Sequence, residues 1–270
     1  MRYLTILLLL ALSPFVTAQD EDESKLPPPP SKEQVEAAVD ALEAAYRSKE
    51  PAKVVAAIDG ARAVLHADVI ELVADGLKDK SLEVQDASID ALRWMEHPDA
   101  LSALLKHWKK NKALRKDVER APSVLKAIGQ HADASSLDVL TDNVFENPTH
   151  KVVQARLLAL GRIRDVEAID TLMDLMAKRG GGRGGRGGNG GAFMNDFRMA
   201  LTVLTGRDLG RDANAWRKWW SDNEKGFEVP PELPELPRDV EILWKGYWGL
   251  EDDTRRGNRR EDRGRGADGQ

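Results

Sequence analysis

Residues 106 to 120 hold seven Lys or Arg against Asp117 and Glu119, with Trp108 among them. Clustered cations beside an aromatic ring are the residue types that hold a polyanion, by phosphate contact and stacking. Lys106, Lys109, Lys110, Lys112, Arg115 and Lys116 are the candidate contacts. A simpler role competes with that one, because Lys106, Lys109 and Lys110 fall where cations complement a helix C-terminus, and a charge run of this kind commonly solvates a turn. The solvated turn is the preferred reading. Arg183 and Arg186 add a second candidate, inside a stretch in which nine of twelve residues from Gly180 to Gly191 are glycine. No Lys-Ser or Lys-Thr follows these glycines and no strand precedes them, so they do not make a phosphate-binding loop. They resemble an arginine-glycine box, which binds RNA, but a flexible loop is the preferred reading.

Tryptophan supplies the other chemistry, with five of the seven falling between residues 216 and 248. Trp216, Trp219 and Trp220 stand at i, i+3 and i+4, one face of a helix, and Trp244, Tyr247 and Trp248 repeat the spacing. Such a face is either an aromatic clamp for a sugar or peptide or an apolar cap that seals the end of a helical array. The cap is preferred for the first triplet. For the second, the segment either folds back onto its own array or is offered to a partner.

Catalytic patterns are missing. The five histidines, His66, His97, His107, His131 and His150, include no His-Glu-x-x-His and no i, i+4 pair. With no cysteine there is no thiolate ligand, disulfide or cysteine nucleophile. There is no Gly-x-Ser-x-Gly elbow and no Asp-x-Asp-x-Asp-Gly calcium loop. No catalytic, metal or cofactor-binding residue is therefore assigned, and the chain is not expected to be an enzyme.

These residues sit on a helical framework. Val84-x-x-Ala87-x-Ile89-x-Ala91-Leu92, Val124-Leu125-x-Ala127-Ile128-Gly129 and Val152-Val153-x-Ala155-x-x-Leu158-Ala159-Leu160-Gly161 each predict a helix with a small-residue crossing point. After a polar break, a second helix carries Leu101-x-x-Leu104-Leu105, Leu137-x-x-Leu140 or Ile169-x-x-Leu172-x-x-Leu175. Leu104, Leu140 and Leu172 are spaced by 36 and 32 residues, and a looser copy runs from Val54 to Leu77. A helix pair repeating at that period cannot bury both of its apolar faces alone, so it stacks on the next. Pro51, Pro98 and Pro148 fall at or just before helix starts, where the missing N–H costs little. Pro122 follows the basic stretch and predicts a break there.

The repeated pattern, above all Val152 to Ile163 with Ala159-Leu160-Gly161 and the Asp165-x-x-Ala168-Ile169 opening, resembles HEAT repeats of the compact kind. Leu204-Thr205-Gly206-Arg207-Asp208 to Asp212, followed by Ala215-Trp216-Arg217-Lys218-Trp219-Trp220, resembles a segment that follows HEAT-like repeats in exported bacterial proteins. The resemblance covers residues 50 to 225. It implies an all-α fold, an α-solenoid of about four HEAT-like helical-hairpin repeats with a C-terminal helical cap and disordered linkers, and a role in protein binding or assembly with no named partner.

Residues 1–18 read as a secretory signal: Arg2, the apolar run Leu4 to Leu12, and Val16-Thr17-Ala18 before the cleavage point. The run is too short to span a bilayer, so no transmembrane segment is expected after its removal. An acidic, proline-rich disordered spacer follows over 19–30, and Ser31 is a helix N-cap. The array runs over 31–179, the Gly/Arg-rich loop over 180–191, and a helical cap over 192–226. A Pro-rich strap with the aromatic segment covers 227–250, and a disordered charged tail closes the chain at 251–270, its six arginines matched by six acids. The expected protein is exported, periplasmic or extracellular, and holds another protein. Polyanion or nucleic-acid binding is the alternative, which the signal and the charge balance disfavour; attachment as an accessory subunit to an exported enzyme is another.

Overall fold

The computed structural model describes residues 29–146, 149–180, 191 and 193–250. The signal, most of the acidic spacer, residues 181–190 with Arg183 and Arg186, Pro148 and the tail from 251 lie outside the described residues. Within them the protein is all-helical, with twelve α-helices and no strand. No helix among the described residues is long and apolar enough to cross a membrane.

Local chemistry starts most of these helices. Ser31 caps α1 (Lys32–Ser48) in a capping box with Gln34, each side chain bonding the other residue's backbone N–H. Pro51 opens α2 (Pro51–Ala61) and Pro98 opens α5 (Pro98–Lys110), where a missing N–H leaves no bond unmade. The ring nitrogens of His66 and His97 accept from the backbone of Asp68 and Asp99, capping α3 (Ala67–Asp75) and α5. Between α3 and α5 lies α4 (Leu82–Trp94). The basic stretch breaks into the end of α5, a 3-10 turn at Leu114–Lys116, and α6 (Ala121–Gln130), with Pro122 in the first turn of α6. Then come α7 (Leu137–Thr141), α8 (His150–Leu160), capped by Thr149, and α9 (Val166–Gly180). Gly206, at φ 68°, ends α10 (Met194–Thr205), and Asp212 caps α11 (Ala213–Asn223) through the N–H groups of Asn214 and Ala215. An extended, proline-containing strap leads to α12 (Arg238–Trp248).

Packing follows the alternation of first and second helices. In one row α2, α4, α6, α8 and α10 lie side by side in that order. Behind it α1, α3, α5 and α7 pack in sequence, and α9 sits against α8, α10 and α11. The front row is crossed by small residues. A Cβ on Gly129 of α6 would fall 2.4 Å from Ala159 Cβ of α8, and one on Gly161, just past α8, 2.9 Å from Ala200 Cα of α10. Helix backbones therefore approach more closely at these points than two larger side chains permit.

The middle of the row is buried, and largely apolar, on every side over the last turn of α8 and most of α10. Leu157, Leu158, Ala159 and Leu160 are all buried in α8, and α10 is buried at nearly every position from Met194 to Thr205. A helix apolar all round must be covered all round. α6 and α10 flank α8, and α7 and α9 stand behind it. The front is covered by α12: Leu158, Met199 and Val203 form a cluster with Val240, Trp244 and Trp248, separate from the main core.

The row gives a paired prediction. Gly129→Ala is expected to destabilise the protein by about 1–3 kcal/mol, because an added methyl forces α6 and α8 apart. Gly60→Ala, in α2 with nothing within 4 Å of the added carbon, is expected to be neutral or to stabilise by up to about 1 kcal/mol. Urea unfolding of the two variants checks this; an unchanged midpoint for Gly129→Ala contradicts the close crossing.

Candidate functional site

The basic stretch divides by role. Lys106, Lys109 and Lys110 project from the last turns of α5, exposed, and Lys112 and Lys116 are exposed on the following turn. None of the five has an ion-pair partner among the described residues. Arg115 turns back, donating from Nη1 to the carbonyls of Trp108 and Lys109 at 2.9 and 2.7 Å, and so satisfies the end of α5. Arg183 and Arg186 are outside the described residues, so the structure does not bring them to this surface.

Beside the lysines an open groove of 860 Å³ runs between α3 and α5. Its floor is apolar, from Ile70, Ala74, Leu77 and Ala103, while Glu71, Asp75 and Asp99 share its edges with Lys78, Lys106 and Lys110. Both signs of charge thus face the same opening. His107 also lines it, and burial, helped by the Lys78 charge, lowers its basicity.

The first tryptophan triplet packs α11 against α9. Trp216 and Trp220 are buried, and their indole N–H groups donate to the Gly210 carbonyl at 2.9 Å and to Asp170 Oδ1 at 2.7 Å. Trp219 is half-buried and meets Trp216 and Phe227 edge-on. Polar atoms of Trp216 and Trp220 are thereby satisfied inside the protein, and their faces are spent on neighbouring rings and core.

The second triplet goes elsewhere. Val240, Trp244 and Trp248, spaced by four, form the buried stripe of α12. Across its length α12 runs from α10, where Asp239 pairs with Arg198 at 2.7 Å, to α4, where Arg93 Nη2 donates to the Trp248 carbonyl at 2.7 Å. Between those points Lys126 of α6 lies over the Tyr247 ring at 4.7 Å, and Arg162 lies over Trp248 at 4.7 Å. The Trp248 ring also approaches Gly129, where an added Cβ would meet it at 3.1 Å. Cations thus gather around the C-terminal end of α12, whose unpaired carbonyls carry partial negative charge, and around its aromatic faces. Burial pushes the Tyr247 hydroxyl up, with the Arg93 charge opposing. Ile242 and Leu243 are left exposed on the other side of the helix.

Arg93, Lys126, Arg162 and Arg164 share a further property. None has a carboxylate within ion-pair distance among the described residues. Burial lowers the basicity of all four, and Arg162 is brought down to about 10 by burial and then by repulsion from Arg93 and Arg164. Arg164 is held by the Val203 carbonyl at 2.7 Å. These cations escaped the sequence reading because they are spread over α4, α6 and the turn after α8; only the Gly129 and Gly161 neighbours hinted that a face here is closely approached. Arg156 of α8 is buried and donates to the carbonyls of Val139 and Leu140 at 2.7 and 3.0 Å, near the end of α7.

Asp196 is the one buried carboxylate among the described residues, only 2% exposed. Gln154 donates to its Oδ1 at 2.9 Å, His150 Nε2 stands 3.4 Å from Oδ2, and burial raises its affinity for a proton. No group of three or more His, Asp or Glu among the described residues could hold a metal ion.

A folded-state Asp value above the unfolded one favours the protonated form in the native state. Asp196 therefore contributes most stability below the ordinary Asp range, and that contribution is lost as pH rises through its folded value. Asp196→Asn is expected to raise the melting temperature at pH 7, with the advantage shrinking toward pH 4. Melting curves across that range check it, and a lower melting temperature at pH 7 contradicts it.

Set against family models and against curated proteins, the chain matches none of either.

Proposed function

We propose that the chain is an exported α-solenoid of about four HEAT-like helical-hairpin repeats that binds another protein and performs no chemistry itself. The repeat reading is supported by the period of the leucines and by the two rows, in which first helices pack on first helices and second helices on second. The cap reading is supported by the burial of Trp216 and Trp220 at the far end. Export rests on residues 1–18, which lie outside the described residues.

One observation carries the binding reading. The front of the central row is covered by α12, whereas the α3/α5 groove is open, apolar at its floor and rimmed by both signs of charge. A protein segment supplies apolar side chains for such a floor and mixed charges for such a rim. A polyanion would meet Glu71, Asp75 and Asp99 as repulsion. A polyanion reading still has its own support in the unpaired Lys106, Lys109, Lys110, Lys112 and Lys116, which continue past the groove.

A photo-crosslinking residue in place of Ser102, exposed in the groove, is expected to give a discrete adduct with one protein of the exported fraction. The same residue in place of Glu36, exposed on α1, is expected to give none. Equal yields, or none from Ser102, contradict the proposal. Retention on heparin that falls steeply with salt, and is lost when Lys106, Lys109 and Lys110 become Gln, would favour the polyanion reading instead.

A further inference from the structure

A cavity of 460 Å³ opens where α4 and α6 end and α5 begins, away from the α3/α5 groove. Arg93, Trp94, Gln130, His131 and Arg162 line it, together with the carboxylates Glu96 and Asp133. The two guanidiniums are unusual for their setting. Each carries five N–H donors in a planar fork. Yet Arg93 is held to the protein by the Trp248 carbonyl and Arg162 by the Gln130 carbonyl at 3.3 Å, with no carboxylate at ion-pair distance among the described residues.

Their Nε atoms and Gln130 Oε1 are buried without a hydrogen-bond partner among the described residues. A half-buried charge and buried polar atoms left in that state are costly, and a folded protein normally pairs them. The nearby acids do not supply the pair. Asp133 is committed through Oδ1 to the backbone N–H of Ser135 at 2.8 Å, and Glu96 acts on Arg162 only over distance. Carbonyls and ring faces offset part of the charge, but none of them is an anion.

The cavity also has a flat apolar wall. Trp94 is 41% exposed, although it is the largest side chain type there is, and Arg93 stacks on its ring at 4.4 Å. A guanidinium fixed against an indole presents its N–H edge in a set direction, which suits two-point contact with an oxyanion.

We propose that this cavity binds an oxyanion, the carboxylate or phosphate of a small ligand, with Arg93 and Arg162 as the cationic clamp and Trp94 against the ligand's body. The proposal is independent of the protein-binding groove, since it uses neither α3 nor the lysines of α5.

Titration of the protein with inorganic phosphate and, separately, with acetate, at ionic strength held constant with NaCl, tests it through the ¹H–¹⁵N signals of the arginine Nε–H groups. Saturable shifts of the Arg93 and Arg162 signals are expected with at least one anion, and the tighter of the two identifies the ligand's anionic group. Arg162→Gln is expected to weaken binding at least tenfold. Trp94→Ala, an exposed site at which folding is secure, should weaken it severalfold, which keeps the test decisive if Arg162→Gln fails to fold. Shifts that NaCl alone reproduces, that do not saturate with either anion, or that survive both substitutions overturn the proposal.

Discussion

The central row of helices is too apolar to stand as a single layer, and the rest of the structure answers that constraint. Leu157 to Leu160 bury four consecutive side chains in the last turn of α8, so no orientation of that turn leaves it a polar face. Close crossings at Gly129–Ala159 and Gly161–Ala200 let α6, α8 and α10 share flanks with little wasted volume. The back of the row is covered by the second helices. Its front has no such neighbour in the alternating pattern, and the strap returns α12 to cover it.

Docking α12 there is an aromatic and electrostatic arrangement as much as an apolar one. Trp248 is fully buried, and burial of so large a side chain contributes on the order of 3 kcal/mol. Arg93, Lys126 and Arg162 meet its end through a carbonyl and two ring faces. Such contacts offset desolvation of a guanidinium only in part, because a carbonyl or a ring carries partial charge where an ion pair carries a whole one. The depressed basicity of Arg162 is the trace of that shortfall. The same helix that hides one apolar face exposes another, Ile242 and Leu243.

Much of the framework was legible in residue order. Leucine spacing marks the paired helices, Ser31 and Asp212 announce helix starts, and Gly206 an end, because these are local rules that need no partner. Trp216, Trp219 and Trp220 could be placed on one helix face for the same reason. What could not be read was where separated elements meet. Trp244 and Trp248 look like Trp216 and Trp220 in sequence yet pack on a different part of the array, since a proline strap sets no direction of return. Lys106, Lys109 and Lys110 stood out as a run, whereas Arg93, Lys126 and Arg162, separated by more than thirty residues from one to the next, converge only when α4, α6 and α8 lie side by side.

Because the strap, and not the alternating packing of the row, brings α12 to the front, α12 is the part of the cover that should open first, and residue-resolved native-state hydrogen exchange measures this most directly. Backbone amides of α12 are expected to exchange through an opening of lower free energy than those of α6 and α8, which should exchange only with global unfolding. Equal opening free energies for α12, α6 and α8, converging on the same unfolding transition, would contradict the account and make α12 part of one indivisible core.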